Sequence, residues 1–207
     1  MMPLSRFTVL DLTHVLAGPF CATTLLDLGA KVIKVEHPVT GDDTRAFPPF
    51  IAGESAYFAA LNAGKASITL DLKAPEDRVL FERLLARADI VLENYRPGVM
   101  ERLGYGYETL HARYPRLIYG AVSGYGHTGP EAQKPAYDMV VQARGGVMSI
   151  TGEEGGPPVR VGASIGDIVA GMFLAQGVLA ALYDREKTGL GAKIDVAMLD
   201  SQLAIQE

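Results

Sequence analysis

Tryptophan is absent from the 207 residues, and cysteine occurs once, as Cys21. A single cysteine closes no internal disulfide, so covalent staples do not hold this fold. The pattern suits a reducing compartment, and a cytoplasmic location is expected. Cys21 itself reads as a small buried apolar residue. Metal-ligand spacing is missing. His14, His37, His111 and His127 stand in no short register with one another or with Cys21, so no metal is expected. No long basic run exists, and 19 Lys+Arg against 24 Asp+Glu leave a net charge of −5, which argues against nucleic acid as a partner. The most apolar stretch, residues 168–183, is shorter than the ~20 residues a bilayer span needs. It also contains Gly171, Gln176 and Gly177. It reads as a buried core helix, and no membrane contact is expected. The opening residues carry Arg6, Asp11 and His14, which break any apolar run of signal-peptide type.

What is present is ordinary globular material, with 48% hydrophobic and 21% charged residues. Strand and helix patterns alternate along it. Residues 7–12 (FTVLDL) form a buried strand pattern. Gly18-Pro19 opens a helix over residues 18–28 that Gly29 stops. Residues 31–35 (KVIKV) are the next strand, completing a βαβ unit with a right-handed crossover. Residues 36–53 are punctuated by proline and glycine and read as loop. A short helix is expected over 55–62, a strand over 67–72, and an amphipathic helix over 75–86 with Val79, Leu80, Leu84 and Leu85 on its buried face. Strands follow at 90–92, 117–122 and 192–196, with helices at 99–103, 109–113, 138–148 and 165–186 and another from 199. This alternation predicts an α/β fold with a mostly parallel sheet. Ligands in such folds bind beyond the carboxyl ends of the strands. The loops after Leu12, Val35, Leu92 and Val122 are therefore the ones to inspect.

Residues 124–129 (GYGHTG) match a dinucleotide-binding glycine pattern after a strand. That motif must also open a helix, whose N-terminus holds the pyrophosphate. Pro130 and Pro135 follow instead, so a nicotinamide or flavin site is set aside in favour of a loop beside an active site. Asp167 lies in the first turn of the most apolar helix. One reading makes it a cap for the helix amides. The other makes it a carboxylate nucleophile, with Gly166, Ala170 and Gly171 leaving room for a ligand and free helix-start amides facing an oxyanion. Tyr137-Asp138 reads either as a helix start or as acyl-pocket residues. Lys65, Arg96 and Arg102, with Lys34 nearby, are surface charges by default. Together with Asn94 and Tyr95 they also suit a phosphate and adenine site.

Long segments then carry a resemblance. They are VLDLTHVLAGPFCATTLLDLGAKVIKVEHP from residue 9, NAGKASITLDLKAPE from 62 and ADIVLENYRPGVMERLGYGYETL from 88. SGYGHTGP from 123, YDMVVQARGGVMSITG from 137 and a last run over 161–200 complete the series. In this order they resemble the family III (CaiB–BaiF type) coenzyme A transferases. The resemblance implies a Rossmann-like sheet flanked by helices, with residues 1–207 forming the N-terminal part of the CoA-binding large domain. It implies that Asp167 is the catalytic carboxylate, attacking an acyl-CoA so that CoA passes to a carboxylic acid through aspartyl anhydride and aspartyl-CoA intermediates. It places coenzyme A at Val15, His37, Asn62, Lys65, Asn94, Tyr95, Arg96 and Arg102, and the acyl group at Leu16, Tyr137 and Asp138. Leu16 stands where some members carry glutamine, and His37 where some carry arginine. Family members are close to twice this length and form interlocked dimers, so a homodimer or a second chain supplying the remainder is expected. α-Methylacyl-CoA racemases share the fold, but pair the aspartate with a histidine where this chain has Tyr137. A non-catalytic half-subunit is the remaining alternative.

Overall fold

The computed structural model of the protein describes residues 2–206. Its centre is a six-stranded sheet in which every neighbouring pair is parallel. The strands are β1 (Thr8–Asp11), β2 (Lys31–Glu36), β5 (Ala66–Thr69), β6 (Ile90–Glu93), β7 (Ile118–Ser123) and β8 (Lys193–Ala197). They lie in the order β5-β2-β1-β6-β7-β8. The chain thus runs outward from β1 to one edge, returns to β6 beside β1, and runs outward to the other edge. This is the doubly wound, Rossmann-like order, with its switch point between β1 and β6. The α/β expectation holds.

Side chains alternate across the pleat and feed two cores. Val9, Ile90, Leu92, Ile118 and Val122 pack with α1 (Ala17–Asp27) and α7 (Ile165–Thr188) on one face. Leu10, Val91, Tyr119 and Ala121 pack on the other, under α3 (Pro75–Leu85), α4 (Val99–Leu103) and α5 (Tyr107–Arg113). Cys21 is buried in the first core, as the sequence suggests, and burial pushes its thiol up.

Several boundaries differ from the sequence reading. The loop over 36–53 contains a 3-10 turn (Asp43–Ala46) and a two-stranded hairpin of β3 (Phe50–Ile51) and β4 (Glu54–Ser55), ahead of α2 (Ala56–Asn62). These elements are too short to carry a period. The strand expected over 67–72 is Ala66–Thr69, because only these residues pair with β2. The face expected for α3 is corrected: Phe81 and Leu85 are its buried residues, while Val79 and Leu80 are 53% and 43% exposed. α6 (Asp138–Arg144) is shorter than the 138–148 span but stops at Gly145-Gly146, the glycine pair expected to end it, and α8 (Met198–Ala204) follows β8 directly.

α7 has 24 residues, and by length and composition alone it could cross a membrane. Here it lies along the sheet, with Leu174 and Val178 buried against Gly120 of β7. Its glycines serve packing. A Cβ on Gly171 would stand 2.5 Å from the Ala17 carbonyl, so α1 and α7 touch through backbone. That corrects the expectation that Gly166 and Gly171 open space for a ligand.

Candidate active site

The switch point sits where the carboxyl ends of β1 and β6 meet. β1 delivers the turn of residues 13–16, and β6 delivers Asn94 and Tyr95. Asn94 clamps that turn from both sides: its Oδ1 accepts the His14 amide at 2.8 Å, and its Nδ2 donates to the His14 carbonyl at 2.7 Å. The His14 ring lies 3.2 Å from the Tyr95 hydroxyl. Val15 is left with φ of +66°, a conformation a β-branched residue avoids. Its amide donates to Asp42 Oδ1 at 3.3 Å, and Asp42 is itself held by the buried Lys34 ammonium at 2.8 Å. The turn is therefore pinned on both flanks.

A second buried pair underlies it. Lys65 Nζ meets Asp11 Oδ2 at 2.9 Å, the Asn62 Oδ1 at 3.0 Å and the Pro19 carbonyl at 3.2 Å. Burial pushes the Asp11 carboxyl up, but Lys65, Lys34 and Thr13 outweigh it and hold the group below the usual carboxylate range. Every Lys65 proton has an acceptor. Of the residues expected at coenzyme A, Lys65 is paired with Asp11, and Asn62 bonds to Lys65 and to the Phe58 carbonyl.

The pinned turn forms one wall of a cavity of about 200 Å³. His14, Leu16, Asn94, Ser123, Tyr137, Met198 and Asp167 line it. The sequence-predicted Val15, Leu16, Asn94, Tyr137 and Asp167 are thus brought together, whereas Ser123 and Met198 were not anticipated. Met198 is the first residue of α8, and its side chain reaches the site only because β8 lies beside β7. Leu16 is buried, and Tyr137 is exposed. Burial lowers the His14 pKa, so the ring facing this cavity is neutral at pH 7.

Asp138 acts from a distance on the site, as the orienting role considered for it from sequence would require. It does not cap its own helix, and it does not line the cavity. Its buried carboxylate crosses to α7, where Oδ1 accepts the Gly166 amide at 2.9 Å, while Oδ2 accepts from Gln142 Nε2 of its own helix at 2.8 Å. Asp138 is therefore the cap of the helix that carries Asp167. Two of the helix-start amides expected to be free are committed, Gly166 to Asp138 and Ile165 to the Ala163 carbonyl, whereas the Asp167 amide has no acceptor among the described residues. Asp167 has no compensating partner of this kind. Burial raises its pKa, the Asp138 charge raises it further, and the result is about 7.

Three basic groups remain outside. Arg96 and Arg102, at the end of β6 and on α4, are exposed and have no carboxylate partner among the described residues. His37, past the end of β2, is exposed and receives the Val39 amide on Nδ1 at 3.3 Å. The glycine-rich segment 124–129 opens no helix, in keeping with setting the dinucleotide reading aside.

The family model described as CoA-transferase family III matches residues 4–207. The chain belongs to this family. An acetyl-CoA:oxalate CoA-transferase of Acetobacter aceti is 52% identical over 203 residues, which span 98% of this chain and 52% of the relative. A human succinyl-CoA:glutarate CoA-transferase is 45% identical over 203 residues, 98% of this chain and 46% of the relative. Among solved structures, a CAIB/BAIF family protein from Brucella suis aligns with a TM-score of 0.94 at 43% identity, covering 99% of this chain and 55% of that one. The chain spans about half the length of these relatives.

The Lys65–Asp11 pair yields a prediction. Lys65→Met strands a buried carboxylate and should cost about 3 kcal/mol or more of unfolding free energy, read by urea titration at pH 7. The Asp11→Leu/Lys65→Met double variant should recover most of that loss. Because the folded value of Asp11 lies below the ordinary 3.8, the wild-type advantage is complete above that pH and is lost as pH falls through the lower folded value.

Proposed function

We propose that the protein is an acyl-CoA:carboxylate CoA transferase whose Asp167 is loaded covalently. The observation that carries this reading is Asp167 itself, a carboxylate facing a cavity at the switch point with no cation or hydrogen bond among the described residues to quiet it. A capping aspartate would hold amides. Here Asp138 does that work instead.

Chemically, ionised Asp167 adds to the thioester carbonyl. The C–S bond breaks, CoA leaves as thiolate, and an acyl-aspartyl anhydride remains. The thiolate then attacks the Asp167 carbonyl and displaces the donor acid, giving aspartyl-CoA. An acceptor carboxylate attacks that thioester and forms a second anhydride, again with release of thiolate. Attack of the thiolate on the acceptor carbonyl yields the new acyl-CoA and frees Asp167. Each step exchanges one activated acyl state for another, so little of the thioester's energy is lost. No proton is gained or lost overall.

The pinned turn at His14–Leu16 and the cavity wall formed by Tyr137 would position the acyl end. Arg96 and Arg102, with His37, are the uncommitted basic groups suited to the phosphates of CoA. The names of the relatives support a carboxylic acid as acceptor, oxalate and glutarate among them. The part of the relatives that this chain does not span would complete the acyl pocket, from the same chain or a partner, in a cytoplasmic dimer.

Incubation with an acyl-CoA, trapping with hydroxylamine and peptide mass spectrometry should place the modification on Asp167. Trapping should rise with pH through about 7, because only the ionised carboxylate attacks. Modification elsewhere, or full exchange activity in Asp167→Ala, contradicts the proposal. Arg102→Ala should weaken CoA binding about tenfold at low salt and flatten its salt dependence, as calorimetry would show. Unchanged affinity removes Arg102 from the site.

A further inference from the structure

Glu93 ends β6 with a carboxylate only 1% exposed, on the same face as Val91. Tyr119 of β7 donates its hydroxyl to Oε1 at 3.0 Å, and the Tyr95 amide donates to Oε2 at 2.8 Å. His127 Nε2 stands 3.5 Å from Oε1. This histidine comes from the glycine-rich loop after β7. Its amide donates to Asp195 Oδ2 at 2.9 Å, and its Nδ1 lies 3.3 Å from Lys193 Nζ, both partners on β8.

The tautomer follows from the partners. An ammonium only donates, so Nδ1 accepts, and a neutral ring carries its proton on Nε2, facing Glu93. Burial holds the His127 pKa below its ordinary value, so the neutral ring is the form present at pH 7. The segments joined this way both flank the Asp167 cavity. Asn94, next to Glu93, clamps His14, while Ser123 and Gly124 lie at the start of the His127 loop and line the cavity.

We propose that the His127–Glu93 contact is a latch between the loop after β6 and the loop after β7, and that both side chains are positioning residues for acyl transfer at Asp167. The second half rests on the Asp167 reading above; the first does not. The ionised carboxylate accepts from Tyr119 and the Tyr95 amide and faces the His127 N–H at 3.5 Å, a longer contact at a ring nitrogen that has no other partner among the described residues. A protonated one must turn its own hydrogen toward one of them, which loosens the latch. The other charged groups facing this cluster are Lys193 and Asp195 of β8 and Glu101 of α4. Burial pushes Glu93 up to about 7, so the latch is closed above that pH and weakens below it.

The test compares wild type, His127→Ala and His127→Gln in the full chain. Amide hydrogen exchange is followed at residues 124–129, and hydroxylamine-trapped loading of Asp167 is timed from pH 6 to 8.5. His127→Ala should exchange about tenfold faster in the loop, with strand amides unchanged, and should load about tenfold more slowly. His127→Gln keeps an N–H toward Glu93 and should restore both. Unchanged loop exchange in His127→Ala overturns the latch. Faster exchange with wild-type loading overturns the positioning role. If wild type never loads, the proposed chemistry fails by itself, and the exchange comparison still decides the latch.

Discussion

A carboxylate crossing between two helices governs the site. Asp138 reaches from the start of α6 to the Gly166 amide and fixes where α7 begins. The Asp167 side chain is then held at the cavity by a helix anchored along most of its length against α1 and the sheet. The same contact places a second negative charge near Asp167. Burial is the larger cause of the raised Asp167 pKa, and the cap that sets the geometry adds to it by discouraging the neighbouring carboxylate from ionising.

The electrostatics divide into committed and uncommitted charges. Lys34 and Lys65 are buried against Asp42 and Asp11, and their attraction holds the βα turn rather than a ligand. Such pairs gain little net stability over an apolar pair, but a single missing partner is costly. This makes them good devices for fixing one arrangement of a turn. The strained Val15 backbone fits that picture, since it persists only where its surroundings over-determine it. Arg96 and Arg102, by contrast, are exposed after the end of β6 and have no carboxylate partner among the described residues.

Much of the architecture was legible in the sequence. The β-branched runs at residues 8–11, 31–36 and 118–123 alternate with apolar helix patterns, and that period alone specifies parallel strands with helical crossovers. Asp167 was legible as a residue with two possible roles. Asp138, 29 residues earlier in sequence, accepts the Gly166 amide, so the Asp167 side chain is not the cap of this helix and is left for the proposed role. The burial of Lys65 and its pairing were not legible, because its partner Asp11 lies 54 positions away and a buried lysine has the same letter as an exposed one. Met198 carried no signal either. It reaches the cavity through the β7–β8 pairing, which a one-dimensional pattern does not record.

The account stands or falls on the state of one side chain. Carbon-13 NMR titration of the Asp167 carboxyl measures it directly, with Asp138→Asn as the control that keeps the Gly166 contact and removes the charge. The account predicts a midpoint of about 7 in the wild type and a lower one in the control. A wild-type midpoint near the ordinary 3.8, unmoved in Asp138→Asn, would contradict it.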